Sequence, residues 1–241
     1  MGKYIFFISA NSAYQLQLTA MDTTLGTVTH LSNLQITDSW DLPYVKIGTS
    51  LVTEDHLYLF TQLYDTAYLW KTDGTVAGTV LVKALSATCG ASISCFGYYG
   101  AVLPIRPPQA QPHIVFDGYD DTFGYGVWTS SGFDDGTHSL YSSSSSSVRP
   151  TDPEDFMQHN GVIYFNATTS ETGREIWKTD GTPEGTELVT QLYTGEEGYI
   201  SFFTKTPLGI AFQGRGENVG YEPYLFDGDT IRLLSDVHEN G

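Results

Sequence analysis

Aromatic rings set beside carboxylates recur along the 241-residue chain, at Trp40 between Asp38 and Asp41, at Tyr64-Asp65 and at Tyr119-Asp120, while Arg174 and Arg215 stand in comparable stretches. An aromatic face flanked by charged acceptors and donors suits a sugar, which stacks its C–H face on the ring and gives its hydroxyls to the polar groups. For Trp40 the competing reading is a ring packed between structural units. A second chemistry would place two carboxylates across one glycosidic bond, one of them with a raised pKa. Asp41, Asp155 and Glu197 lie near predicted inner strands and are the candidates for it.

Other chemistries find little support. The six histidines, His30, His56, His113, His138, His159 and His238, occur singly and without metal-ligand spacing. No G-x-S-x-G elbow is present for a nucleophilic serine, and no D-x-D-x-D-G string for calcium. Neither a metal nor a cofactor is therefore expected. Cys89 and Cys95 are separated by five residues within one predicted loop. Bridged, they would stabilise the chain by roughly 2 kcal/mol through a small closed ring; as two free thiols they would contribute no such constraint.

These residues need a scaffold, and the scaffold is written as a repeat. Trp70-Lys71-Thr72-Asp73-Gly74-Thr75-Val76-Ala77-Gly78-Thr79 returns as Trp177-Lys178-Thr179-Asp180-Gly181-Thr182-Pro183-Glu184-Gly185-Thr186, with a worn copy from Trp128 to Thr137. Alternating β-rich runs flank each copy, so each reads as a β-hairpin whose Asp-Gly and second Gly supply positive φ. Its Asp and Thr side chains are expected to cap the turn through local amides. Fainter copies are anchored at Leu18 and Tyr224, and Glu222 matches Glu175. The anchors recur about every 50 residues, the length of a four-stranded propeller blade. The fold expected is all-β, a five-bladed β-propeller in one domain over 1–241, with blades near 1–40, 41–90, 91–150, 151–194 and 195–241. Lys3 to Ile8 aligns with second strands, which leaves the first blade incomplete.

The two strong copies, with Glu175 and Ile176 before Trp177 and Leu69 before Trp70, resemble a bacterial repeat written roughly E-L-W-K-S-D-G-T-x-x-G-T. The likeness spans all five units and is strong in two. That repeat occurs mainly in large secreted or cell-surface propeller-type proteins, so the resemblance implies an extracellular or surface location and binding more than chemistry. It lends no catalytic residue.

Composition agrees with short strands and tight turns: aromatics reach 14%, with sixteen Tyr, thirteen Phe and twenty-five Gly. A net charge of −17 repels nucleic acid and anionic lipid heads, and no apolar run approaches the roughly 20 residues of a membrane span. Neither nucleic acid nor membrane insertion is expected. The expectation is a non-enzymatic module binding a glycan or a surface protein through the loops opposite the hairpins, with a glycoside hydrolase as the alternative. Trp70, Trp128 and Trp177 are expected to pack between blades at matching depth. The ring is expected to close without a swapped strand, on Tyr4, Phe6 and Phe7 from the first blade and Phe202, Phe203 and Phe212 from the last.

Overall fold

Alternation of apolar and polar residues dictates strands throughout, and the computed structural model contains no helix among its described residues. Those residues are 3–10, 16–33, 45–63, 66–86, 96–102, 114–120, 124–140, 149–193, 199–216 and 220–237. They form five separate antiparallel sheets in which strands adjacent in sequence are adjacent in space. Sheet one comprises β1 (Tyr4–Ala10), β2 (Leu16–Asp22) and β3 (Val28–Asn33); sheet two comprises β4 (Val45–Val52), β5 (Leu57–Leu63), β6 (Thr66–Thr72) and β7 (Val80–Ser86). Sheet three is β8 (Phe96–Val102), β9 (Ile114–Asp120), β10 (Gly124–Ser130) and β11 (Thr137–Ser139). Sheet four is β12 (Thr151–His159), β13 (Val162–Thr169), β14 (Gly173–Thr179) and β15 (Glu187–Leu188). Sheet five is β16 (Ile200–Thr206), β17 (Gly209–Gly216), β18 (Gly220–Phe226) and β19 (Ile231–Leu233). As expected, sheet one has three strands, and β1 occupies the place of a second strand.

The chain divides into two compact units: Met1–Tyr98 with Gly132–Thr137, and Tyr99–Ser131 with His138–Gly241. In the first unit, Trp70 and Leu59 of sheet two press on Leu18, Ala20 and Leu31 of sheet one. Trp70 is 4% exposed, and its Nε1–H donates to Thr61 Oγ1 at 3.1 Å. The Gly132–Thr137 hairpin is clasped here too: Lys71 Nζ lies 4.4 Å from the Phe133 ring centroid, and Lys83 pairs with Asp134 at 2.9 Å.

In the second unit the same rule holds twice. Trp177 and Phe165 of sheet four pack on Val115, Val127 and Leu140 of sheet three, and Tyr224 and Phe212 of sheet five pack on Tyr164 and Ile176 of sheet four. Trp177 matches Trp70 in exposure, at 4%. Its Nε1–H is buried without a hydrogen-bond partner among the described residues, and Ala167 occupies the register position that Thr61 holds in sheet two. Trp128 is partly exposed and stacks on Phe116 at 6.4 Å, so the expected equal depth holds for two of the three rings.

Four expectations are corrected. Gly74 and Gly181 do have positive φ, 92° and 90°, but the second glycines are not among the positive-φ residues. A Cβ at Gly78 or Gly185 would collide with the carboxylate of Asp73 or Asp180, so those glycines provide room. In sheet one the anchor position belongs to Thr19, not Leu18: Asp22 makes the turn that Asp73 makes three residues after Trp70, and a one-residue slip turns Leu18 to the opposite face. The fourth strand of sheet four, read from the sequence over Thr186–Leu192, pairs in regular register only at Glu187–Leu188, because beyond it the Val189 and Thr190 N–H groups both turn to the Ile176 carbonyl and Leu192 to the Glu175 side chain. Finally, Tyr4 and Phe6 pack on sheet two, and Phe203 and Phe212 on sheet four; only Phe7 and Phe202 stay exposed, at 40% and 77%.

Inner strands bulge in three sheets, between Ile47 and Ser50, along β12, and between Ser201 and Thr204. Asp155 and Phe202 occupy equivalent bulge positions with φ of 54° and 55°, a conformation that strains residues carrying a Cβ.

Candidate functional site

At the hairpin end, the polar side chains are consumed locally. Asp73 Oδ1 accepts the N–H of Thr75 at 2.8 Å and its hydroxyl at 2.7 Å; Asp180 does the same with Thr182 at 2.9 and 2.7 Å. Thr75 Oγ1 in turn takes the Gly78 amide, and the Thr79 hydroxyl donates to the Thr75 carbonyl. These hydrogen bonds hold the Asp73 carboxyl below the usual carboxylate range. The expected structural role of the motif is what the structure contains.

The repeated glutamate has a related role. Glu175 is fully buried on β14, where its carboxylate accepts the Leu192 N–H at 3.2 Å and the Thr190 hydroxyl. Glu222, equally buried on β18, accepts the Val237 N–H at 2.7 Å. Each ties the chain leaving its sheet back to the third strand, which is why β15 is so short. Burial pushes the Glu175 carboxyl up to about 7 against its hydrogen bonds.

The opposite end of sheets three and four is chemically richer. The T-shaped pair Tyr119 and Tyr125 crosses β9 and β10 with centroids 5.1 Å apart. The Tyr125 hydroxyl oxygen is buried with no hydrogen-bond partner among the described residues; burial raises its pKa, and the Asp117 and Asp152 carboxylates add to the effect. On sheet four, Arg174 Nη1 donates to Glu154 Oε2 at 3.2 Å and to Asn166 Oδ1, while Asn166 Nδ2 donates to Asp155 Oδ2 at 3.0 Å. Asn166 is buried and fixes the order of the relay; Arg174 and Glu154 reach solvent. Aromatic surface, acceptors and a guanidinium thus sit on neighbouring sheets of one unit.

Of the residues expected at a site, Tyr119 and Arg174 belong to this end of the second unit. Asp120 closes β9 beside them in sequence. Arg215 stands elsewhere, on sheet five, with its Cζ 4.5 Å from the Tyr193 ring centroid. Asp38, Trp40, Asp41, Tyr64 and Asp65 lie outside the described residues, as do Cys89, Cys95 and Glu197. Asp155 is bonded to Asn166, and the other two hydrolase candidates, Asp41 and Glu197, lie outside the described residues. No group of three or more metal-ligating side chains occurs among them either. Sequence reading missed Tyr125, Glu154 and Asn166. An Asn inside the apolar run Val162-Ile163-Tyr164-Phe165-Asn166-Ala167 was the available signal, since a buried amide requires partners.

No family model matches the chain, and neither does any curated protein. Solved structures of similar arrangement include TolB from Acinetobacter baumannii, with a TM-score of 0.48 and 11% identity over 97% of this chain and 53% of that one. Others are the β-propeller domain of the Trilobed protease from Pyrococcus furiosus (TM-score 0.36, 11% identity, 99% of this chain and 79% of that one) and a nidogen/laminin complex (0.45, 8%, 97% and 74%). The chain spans about half the length of the TolB structure it matches.

Proposed function

We infer that the five sheets are successive blades of a five-bladed β-propeller scaffold and that the protein is a non-enzymatic recognition module of the extracellular or cell-surface kind. Its ligand is a glycan or a surface protein, met at the end opposite the hairpins. One observation carries this reading: the Tyr119–Tyr125 pair, with Asp152 close enough to act on the Tyr125 hydroxyl, stands on the sheet adjacent to the Glu154–Arg174–Asn166–Asp155 relay. A saccharide ring can stack on a face of the partly exposed tyrosines and exchange hydrogen bonds with the charged pair. The hairpin end lacks such capacity, because Asp73 and Asp180 already accept their own turns.

A glycan array probed with the purified chain, alongside a pull-down from surface extract, tests the reading. Saturable binding that falls on Tyr119→Ala or Arg174→Ala, with an unchanged melting temperature, supports it. The competing hydrolase reading draws on Asp155, whose Oδ2 accepts the Asn166 amide within the relay. Release of sugar from any glycoside, abolished by Asp155→Asn, would favour the hydrolase.

A further inference from the structure

Sheet four closes its first hairpin on chemistry that recognition does not use. His159 pairs with Val162, which leaves Asn160-Gly161 as a two-residue turn, and both turn residues have positive φ, 49° and 76°. Asparagine tolerates that conformation and glycine takes it freely. Ile163 pairs with Thr179, so this turn lies at the hairpin end of the sheet, away from the Tyr119–Tyr125 pair.

Asn160 is exposed, whereas His159 before it is buried against sheet five, with its ring 6.5 Å from that of Tyr164 and its Nε2 3.4 Å from the Asp227 carbonyl oxygen. The same Nε2 lies 3.1 Å from Asn160 Nδ2. The Gly228 turn of sheet five borders both side chains: a Cβ on Gly228 would lie 3.7 Å from Asn160 Nδ2 and 3.8 Å from His159 Cδ2.

An asparagine followed by glycine carries its own nucleophile. The Gly161 nitrogen attacks Asn160 Cγ, unhindered by a side chain of its own. The N–Cγ bond forms, the Gly161 amide proton passes to water, and the Cγ–Nδ2 bond breaks to release ammonia. Water then opens the resulting succinimide at either carbonyl and leaves aspartate or isoaspartate, so that amide and water become acid and ammonia. The demanding step is departure of the nitrogen, which must leave protonated. Nδ2 accepts a proton once it is pyramidal in the tetrahedral intermediate, and His159 Nε2 already stands within hydrogen-bonding distance of it.

We propose that Asn160 is a site of spontaneous covalent conversion in the folded protein, with His159 as the proton donor to the leaving nitrogen. The product places a carboxylate, and in the isoaspartate form an additional backbone methylene, in a turn that borders sheet five.

Peptide mass mapping after prolonged incubation at neutral pH reads the acid formed at Asn160. In the same molecules it reads Asn240-Gly241, the same dipeptide preceded by Glu239 instead of a histidine. Conversion at Asn160 is expected in the folded wild type. His159→Gln should slow it by about tenfold or more, while conversion at Asn240 stays as it was. In urea, where His159 no longer holds its place, the two proteins should convert Asn160 at equal rates, which separates proton donation from an effect of the neighbouring residue type. His159→Thr stands in if circular dichroism shows that the glutamine variant does not fold. An Asn160 that stays intact in the folded wild type, an unchanged or faster conversion in the variant, or a difference that persists in urea would overturn the proposal.

Discussion

The buried carboxylate of Glu175 accepts the backbone N–H of Leu192 across the third strand of its sheet at 3.2 Å, and no charged side chain shares the site as a cause of its raised pKa. Its partners are hydroxyl and amide groups, which favour ionisation but do not offset burial. A folded pKa of about 7 lies above the ordinary glutamate value of 4.5. Protonated Glu175 therefore stabilises the fold fully below about pH 4.5, and this contribution is lost as pH rises through 7, by at most about 3 kcal/mol. Urea unfolding should show stability declining across that window. Glu175→Gln keeps an acceptor for Leu192 and should flatten the decline; parallel curves for the two proteins would contradict this assignment.

Gly78 and Asp73 are coupled by sterics. Gly78→Ala should cost about 1–3 kcal/mol, because its methyl meets the Asp73 carboxylate. With Asp73→Ala already in place, the same change should be neutral or slightly stabilising, by up to about 1 kcal/mol. A double-mutant cycle by chemical denaturation reads the difference, and additive costs would show that backbone conformation, rather than space, selects the glycine.

Trp70 and Trp177 differ by one hydrogen bond. Thr61→Ala should leave the Trp70 N–H buried without its partner and cost about 1–3 kcal/mol. Ala167→Ser offers Trp177 the acceptor it lacks and should raise stability by up to about 1 kcal/mol. Equal melting temperatures for Thr61→Ala and wild type would remove the argument.

The all-β class and its hairpins were legible because the repeat is local: Trp177 to Thr186 contains its own turn, cap and strand ends, all within hydrogen-bonding reach along the chain. Register was harder. Leu18 and Thr19 are adjacent and both plausible in a strand, and only the Asp22 turn identifies which one faces which side. The role of Glu175 could not be read from spacing, since its partners lie fifteen and seventeen residues away, beyond an irregular segment. The site was half legible. Tyr119 and Arg174 stood out by type, whereas Glu154, Asn166 and Tyr125 matter through pairing between strands and between sheets, which periodicity does not encode.

Titration calorimetry with the strongest array ligand, or with the captured surface protein, measures the central claim most directly. The account predicts that Tyr125→Ala and Glu154→Gln each weaken binding by tenfold or more, about 1.4 kcal/mol, while Thr182→Ala at the opposite hairpin leaves the affinity unchanged and no product accumulates on prolonged incubation. Affinity that is lost on Thr182→Ala but retained on Tyr125→Ala and Glu154→Gln, or steady turnover of the ligand, would contradict it.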